Sequence, residues 1–134
     1  MDDQETQLRS LALKHDRTLV VEHLPGLDIL RVLGGDGRAC LSVILTATGP
    51  MLQFEGSLML QASGDLAVSA GKVAIHGRDG VAITTDGDMK IACRGDLATN
   101  ARIQNITADL GNVNIKANDD VRLNGERVFV NCVD

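Results

Sequence analysis

Apolar residues recur in pairs along the second half of the chain, with one residue between the two members of each pair. The first members follow one another at steps of 7 or 8 residues up to Met89 and again from Val113. Glycine, aspartate and asparagine stand between successive pairs, and this alternation with regular turn residues is typical of a repetitive β architecture. We predict that these pairs form the core of the repeat and of its assembly: Leu58, Leu60, Leu66, Val68, Val73, Ile75, Val81, Ile83, Met89, Ile91, Val113, Ile115, Val121, Leu123, Val128 and Val130.

The pattern is interrupted between residues 89 and 113. Leu97 keeps the eight-residue step, but the inward positions that follow are polar: Thr99, Asn105 and Thr107. Ile103 and Ile106 are three residues apart, so one alternating strand cannot bury both. We therefore predict a bulge or a corner near residues 104–105, where the simple repeat fails.

The first part of the chain predicts a different organisation. Residues 17–56 contain strand-like apolar runs separated by Pro-Gly, a glycine-rich connection at 34–37 and Gly-Pro, which indicates a β-meander of about four strands. Residues 1–16 read as a polar arm or as a short helix over about residues 4–14. The predicted division is thus 1–16, 17–56 and an octad-repeat β-helix over 57–134, an all-β chain apart from that short helix.

Composition narrows the class of protein. The chain has 134 residues and only two aromatic side chains, so its core must come from Val, Ile and Leu. The net charge of -5, without any basic run, argues against nucleic acid as a partner. The start of the sequence is acidic and no apolar run is long enough to span a membrane, so we expect synthesis in the cytoplasm without a signal peptide; later export remains open.

The candidate chemistry in the sequence is sparse. Aspartates beside glycine suit turn corners better than calcium ligation, because the calcium-binding nonapeptide pattern is absent. His76 lies on an outward strand position without a neighbouring nucleophile, and the three cysteines form no metal or disulfide pattern. The glycines at 34–37 lack the following lysine and helix of a phosphate loop. We expect no catalytic residue, no metal, no cofactor and no enzymatic activity.

The length of the repeat helps to decide how many copies of the chain form the β-helix. If one chain wound alone over three faces, the region would give about three turns and a stub roughly 14 Å tall with open edges. If three copies wound together, about nine strands would rise roughly 43 Å, with every strand between strands of the other two copies. The sequence favours the intertwined homotrimer, with a single-chain β-solenoid as the alternative.

The run from Gly64 to Asp96 resembles the C-terminal β-helix (β-prism) repeats of VgrG-type spikes and phage tail-spike proteins of contractile injection systems. Those elements repeat V-x-I-x-x-x-G strands with Gly-Asp corners and form intertwined trimeric needles. The ending DDVRLNGERVFVNC looks like the close of repeat proteins encoded with type VI secretion apparatus. The resemblance covers about 57–132. It does not extend to the large N-terminal barrels of a full spike or to the His-x-His of some spike tips.

This resemblance implies a non-enzymatic structural or adaptor protein, a spike-like trimeric β-helix of a type VI secretion or phage-tail-like system. Its partners would be two further copies of itself and another spike, tip or effector protein, and it would be exported as part of the apparatus. Two alternatives stay open: a self-associating β-solenoid scaffold of a filament or cytoskeletal kind, and a carbohydrate-binding β-helix.

Overall fold

The structure, a computed structural model, describes residues 7–131. Within that range the chain is all-β and contains no helix. It divides between Ile75 and His76 into two units. The first unit holds an open antiparallel sheet and the beginning of the repeat, and the second holds the rest of the repeat.

Five strands form the sheet of the first unit, in the order of the sequence. They are β1 (Gln7–Ala12), β2 (Thr18–Leu24), β3 (Leu27–Leu33), β4 (Ala39–Thr46) and β5 (Gly49–Phe54). Each strand pairs antiparallel with the next, so the sheet is a meander with β1 and β5 at its edges. Strands β2 to β5 occupy the range for which the sequence predicts a meander of about four strands.

The two tight hairpins follow from their turn residues. Leu24 pairs with Leu27 around Pro25 and Gly26, and Gly26 has a φ of 81°. Proline followed by a residue of positive φ is the signature of a type II turn. At the β4–β5 hairpin, the Thr46 hydroxyl donates to the carbonyl oxygen of Gly49 at 2.9 Å, which ties the two ends of the turn together.

The glycine-rich connection between β3 and β4 is a hairpin loop, as predicted. The Gly34 N–H donates to the Arg38 carbonyl oxygen at 2.9 Å, and the Gly37 N–H donates to the Gly34 carbonyl oxygen at 3.0 Å. The strand register shifts between Val32 and Leu33, which accommodates one extra residue of β4. These N–H groups are therefore used within the loop, so they are not directed at a phosphate.

Two neighbouring rows on one face of the sheet are almost entirely apolar, and a third row on that face carries Gln7, His23 and Asp28. Residues that pair directly across strands share a face, and two such rows on one face contain nine apolar side chains out of ten: Arg9, Val21, Leu30, Val43 and Leu52, then Leu11, Leu19, Val32, Leu41 and Phe54. The other face carries the ion pair between Arg31 and Glu22, at 2.8 Å. Among the described residues, Ile29 at 7% exposure is the only buried apolar side chain, so the sheet is a single layer without a closed core.

The helix predicted over about residues 4–14 is wrong for the part that the structure describes, because residues 7–12 form strand β1. The apolar stripe of this segment is too short to stabilise an isolated helix. Pairing with β2 instead gives its backbone hydrogen-bond partners and sets Leu11 beside Leu19. Residues 1–6 of that prediction lie outside the described range.

Beyond the sheet, the chain is a succession of short straight segments separated by bends. In the first unit the bends lie at residues 55–56, 63–64 and 71. In the second unit they lie at 78–79, 86–87, 94–95, 102–103, 109–111, 118–119, 125–126 and 130–131. The segments between the bends up to 125–126 are five or six residues long. The interval of 7 or 8 residues read from the apolar pairs is therefore also the interval of the backbone.

The φ of Gly26 makes a first prediction. We expect Gly26→Ala to lower the free energy of unfolding by about 1–2 kcal/mol, because a Cβ is strained at positive φ although no atom lies within 4 Å of it. Gly35→Ala is the matched control, since its Cβ would make an ordinary 3.4 Å contact with the Asp16 Cβ. Urea unfolding at one fixed protein concentration measures both variants. Equal losses would contradict this account of the turn.

Candidate assembly surface

The bends define two fixed positions in each straight segment. We call the residues that stand two and four positions after the last residue of a bend the pair positions. In eight of the ten segments between residues 57 and 130, both pair positions are apolar. All sixteen residues predicted from the sequence as the core stand at these pair positions, and Val130 among them is also the first residue of the bend at 130–131.

The pair positions are exposed to solvent in the single chain. The first member is about half exposed, as in Val113 at 49%, and the second is more exposed, as in Ile75 at 76%. A soluble monomer rarely exposes a contiguous apolar patch of more than a few hundred Å². Sixteen exposed Val, Ile, Leu and Met side chains at the repeated pair positions are more than such a monomer usually leaves in contact with solvent.

The backbone of this region also lacks backbone partners within the chain. Of the described residues 57–129, none makes a backbone–backbone hydrogen bond, and none belongs to a paired strand. Fixing each residue of such a segment costs roughly 1–2 kcal/mol of conformational entropy, and within the chain only local hydrogen bonds to side chains and little apolar burial offset that cost.

The structure corrects the prediction of a failed repeat near residues 104–105. The bend lies at 102–103, eight residues after the bend at 94–95, and residues 104–108 contain none. Ile103 is part of the bend, which separates it from Ile106 and removes the conflict between the two. The pair positions of the two segments concerned are Leu97 and Thr99, then Asn105 and Thr107. The repeat continues here, and the side chains at its pair positions change from apolar to polar.

Side chains stabilise some of these bends. Gln104 spans the bend at 102–103: its Nε2 donates to the Thr99 carbonyl oxygen, and its Oε1 accepts from the Thr99 hydroxyl, both at 3.3 Å. At the bend at 86–87, the Thr85 hydroxyl accepts from the Gly87 N–H at 3.1 Å. Such local hydrogen bonds offer the backbone a turn conformation and so set where each segment ends.

A shallow cleft of about 610 Å³ lies at one end of the sheet, between the β1–β2 and β3–β4 loops, lined by Ala12, Leu13, Asp16, Arg17, Thr18, Leu33, Gly34, Gly35 and Gly37. His76 is exposed, and His23 pairs with Asp28 at 2.7 Å on the sheet. Within residues 7–131, no group of three or more His, Cys, Asp or Glu side chains is placed to hold a metal ion.

Two of the three cysteines lie in the described range, and both are exposed free thiols. The Cys93 thiol donates to the Gly95 carbonyl oxygen at 3.3 Å across a bend, and the Cys40 thiol donates to the Val32 carbonyl oxygen at 3.2 Å. Cys93 has the same parity as the pair positions Met89 and Ile91 and, like them, is exposed in the single chain. Cys132 lies outside the described residues.

Across residues 7–131 the structure places no helix with the length and apolarity that crossing a bilayer requires. Comparison with protein-family models, curated proteins and solved structures gives no match for this chain.

The Gln104 contacts generate a prediction for the repeat. We expect Gln104→Ala to lower the melting temperature by about 2–4 °C, because two exposed neutral hydrogen bonds that close a bend are lost. Gln61→Ala is the control, since Gln61 is exposed and makes no side-chain hydrogen bond in the structure. Thermal unfolding followed by circular dichroism measures both. The bridging role is wrong if the two variants melt alike.

Proposed function

We propose that this protein is a non-enzymatic structural or adaptor element whose repeat region winds together with two further copies into a trimeric β-prism. The observation that carries the proposal is the combination found along residues 57–129. Bends recur every 7 or 8 residues, apolar pairs lie exposed at fixed positions, and the backbone makes no backbone–backbone hydrogen bond within its own chain. Two neighbouring copies would supply both the strands and the apolar contacts that one chain lacks.

The hydrogen-bond pattern separates this proposal from a single-chain solenoid. In a solenoid each strand pairs with the strand one coil earlier in the same chain, so the ladders are intramolecular. Residues 57–129 contain no such ladder. Strands that pair with other copies give a single chain this appearance, because every partner belongs to a different molecule. The absence of intrachain ladders therefore supports the trimer over the self-associating solenoid.

The dimensions fit a short rigid spike. Ten straight segments, each contributing one layer at about 4.8 Å, would rise about 48 Å along the prism axis. Each strand would lie between strands of the other two copies, so no strand could detach without breaking hydrogen bonds to both. Resistance to local opening is the property that a mechanical element needs.

The resemblance to VgrG-type and phage tail-spike repeats suggests where such an element acts. We infer a component of a type VI secretion or phage-tail-like contractile injection system, exported with the apparatus. Its partner beyond its own copies would be a spike, tip or effector protein. The five-stranded sheet gives the chain a second, differently built element beside the repeat, which an adaptor requires to join two unlike surfaces.

A matched pair of substitutions tests the assembly. We expect Ile83→Asp to prevent it, because the substitution would place three carboxylates among apolar side chains at the same level of the prism. Thr84→Asp adds the same charge at the next residue, whose side chain lies on the opposite side of the segment from the pair positions. Sedimentation velocity should show a smaller species for Ile83→Asp alone.

Two different sedimentation results would contradict the proposal. If both variants sediment like the wild type, the pair positions do not face other copies. If the wild type already sediments as one chain, no assembly exists for either substitution to disturb.

A further inference from the structure

Two consecutive segments of the repeat carry polar residues at the pair positions. The bends at 94–95, 102–103 and 109–111 keep the spacing of the repeat, so these segments present the same positions as their apolar neighbours. Three of their four pair positions are occupied by Thr99, Asn105 and Thr107, where other segments have Val, Ile, Leu or Met. A polar interval thus stands between two apolar stretches of the same column.

We propose that Thr99, Asn105 and Thr107 of three copies form a polar layer inside the prism, and that this layer fixes how the copies are aligned along the axis. These three residues come from two consecutive segments and so occupy two adjacent levels of the prism, and we call them together the polar layer. The inference rests on the proposed trimer, because each copy supplies one third of the layer and the site is incomplete in a single chain.

The apolar part of the repeat cannot fix the alignment by itself. Its segments are nearly interchangeable, so sliding one copy by one segment would again place Val or Leu beside Ile or Val. Alignment in repetitive β structures is weakly specified when neighbouring registers bury equivalent side chains. A polar residue at one level makes the registers different, because a displaced copy then buries a polar side chain where the aligned copy buries an apolar one.

Asn105 has the chemistry for that role. Its amide supplies two N–H donors and one acceptor oxygen, so the three Asn105 side chains at one level can donate hydrogen bonds to one another. A copy displaced by one segment would bring this amide against apolar side chains, and a buried polar group without a partner is costly. In parallel coiled coils a single buried asparagine specifies register and oligomeric state in this way.

The neighbouring residues are consistent with this arrangement. The Thr99 hydroxyl donates to the Oε1 of Gln104 in its own chain, so it can enter the layer with a partner already in place. Ile106, between the two pair positions of its segment, has the opposite parity and is 75% exposed. The segment therefore directs Asn105 and Thr107 to one side and Ile106 to the other, whereas eight of the other segments have apolar residues at both pair positions.

The same Asn→Asp substitution, made once at a pair position and once between two pair positions, tests where the polar layer lies. Asn105→Asp and Asn114→Asp make the same isosteric change, but Asn114 stands between the apolar pair members Val113 and Ile115. We expect Asn105→Asp to lower the melting temperature at pH 7 by about 10 °C or more, because three carboxylates would converge. Asn114→Asp should shift it by less than about 2 °C.

Acidification separates charge repulsion from a simple loss of folding. Like charges raise the pKa of each carboxyl in the layer above the usual value for aspartate. At pH 4 the Asn105→Asp variant should therefore regain most of the melting temperature that the wild type has at that pH. If Asn105→Asp behaves like Asn114→Asp while Ile106→Asp is strongly destabilising, the segment is turned the other way and the polar layer does not exist.

A disulfide experiment tests the alignment itself. In aligned copies Val113 and Val128 lie two layers or about 10 Å apart along the axis, too far for a disulfide. A slip of one segment brings them to adjacent layers. Chains with Val113→Cys and chains with Val128→Cys, with Cys40, Cys93 and Cys132 replaced by serine, are unfolded together, refolded and oxidised. The polar layer should prevent the mixed disulfide.

Replacing the layer by the repeat's own residues, with Thr99→Ile, Asn105→Val and Thr107→Ile, should make that mixed disulfide appear at several times its level in the unsubstituted background. Equal amounts in both backgrounds would overturn the alignment role. The failure of the proposed function has a different signature: a wild-type chain that remains a monomer yields no disulfide between copies in either background and no charge effect specific to Asn105.

Discussion

An extended backbone needs hydrogen-bond partners beside it, and this requirement governs most of the molecule. In the sheet, each strand finds its partner next to it in the sequence, because Pro-Gly, a glycine-rich loop and Thr46 with Gly49 return the chain on itself. From residue 57 to 129 the bends redirect the chain, and no backbone hydrogen bond joins one segment to another. Strand-forming residues therefore give a hydrogen-bonded sheet in residues 7–54 and a series of unpaired segments in residues 57–129.

Side-chain burial follows the same division. Ile29 is buried because its neighbours on both sides are strands of the same sheet, whereas Ile83 and Ile115 remain about 70% exposed. The hydrophobic effect is proportional to the apolar area removed from water, so the repeat gains little of it as a single chain. As a single chain, the repeat thus lacks both backbone hydrogen bonds between strands and apolar burial. Strands of other copies lying beside its segments would supply both. This shared solution is the physical basis of the trimer that we propose.

The sequence predicts the all-β class, the hairpin around residues 34–37 and the interval of the repeat, because each depends on local signals. Each Val-x-Ile pair and each glycine turn is a local signal contained within eight residues. In the structure the pairs lie in the straight segments, and the turn residues lie at or beside the bends. Two predictions fail for lack of such a signal. Strand β1 forms through pairing with β2 and not through its own weak helical stripe, and the bend at 102–103 contains Arg102 and Ile103, neither of which is a turn former. The eight-residue step already puts Asn105 at an inward position in the sequence, and with the bend at 102–103 it stands at a pair position.

The number of chains in the native assembly tests the central claim most directly. Light scattering coupled to size-exclusion chromatography gives the absolute mass of the full-length protein without assuming a shape. One chain has a mass of 14.2 kDa, and strands that pair between three copies require a discrete species of about 43 kDa, three times that value, that does not grow with concentration. A species near the mass of one chain would contradict the account, because the segments from 57 to 129 would then have no partners, and a mass that increases continuously would indicate an open filament.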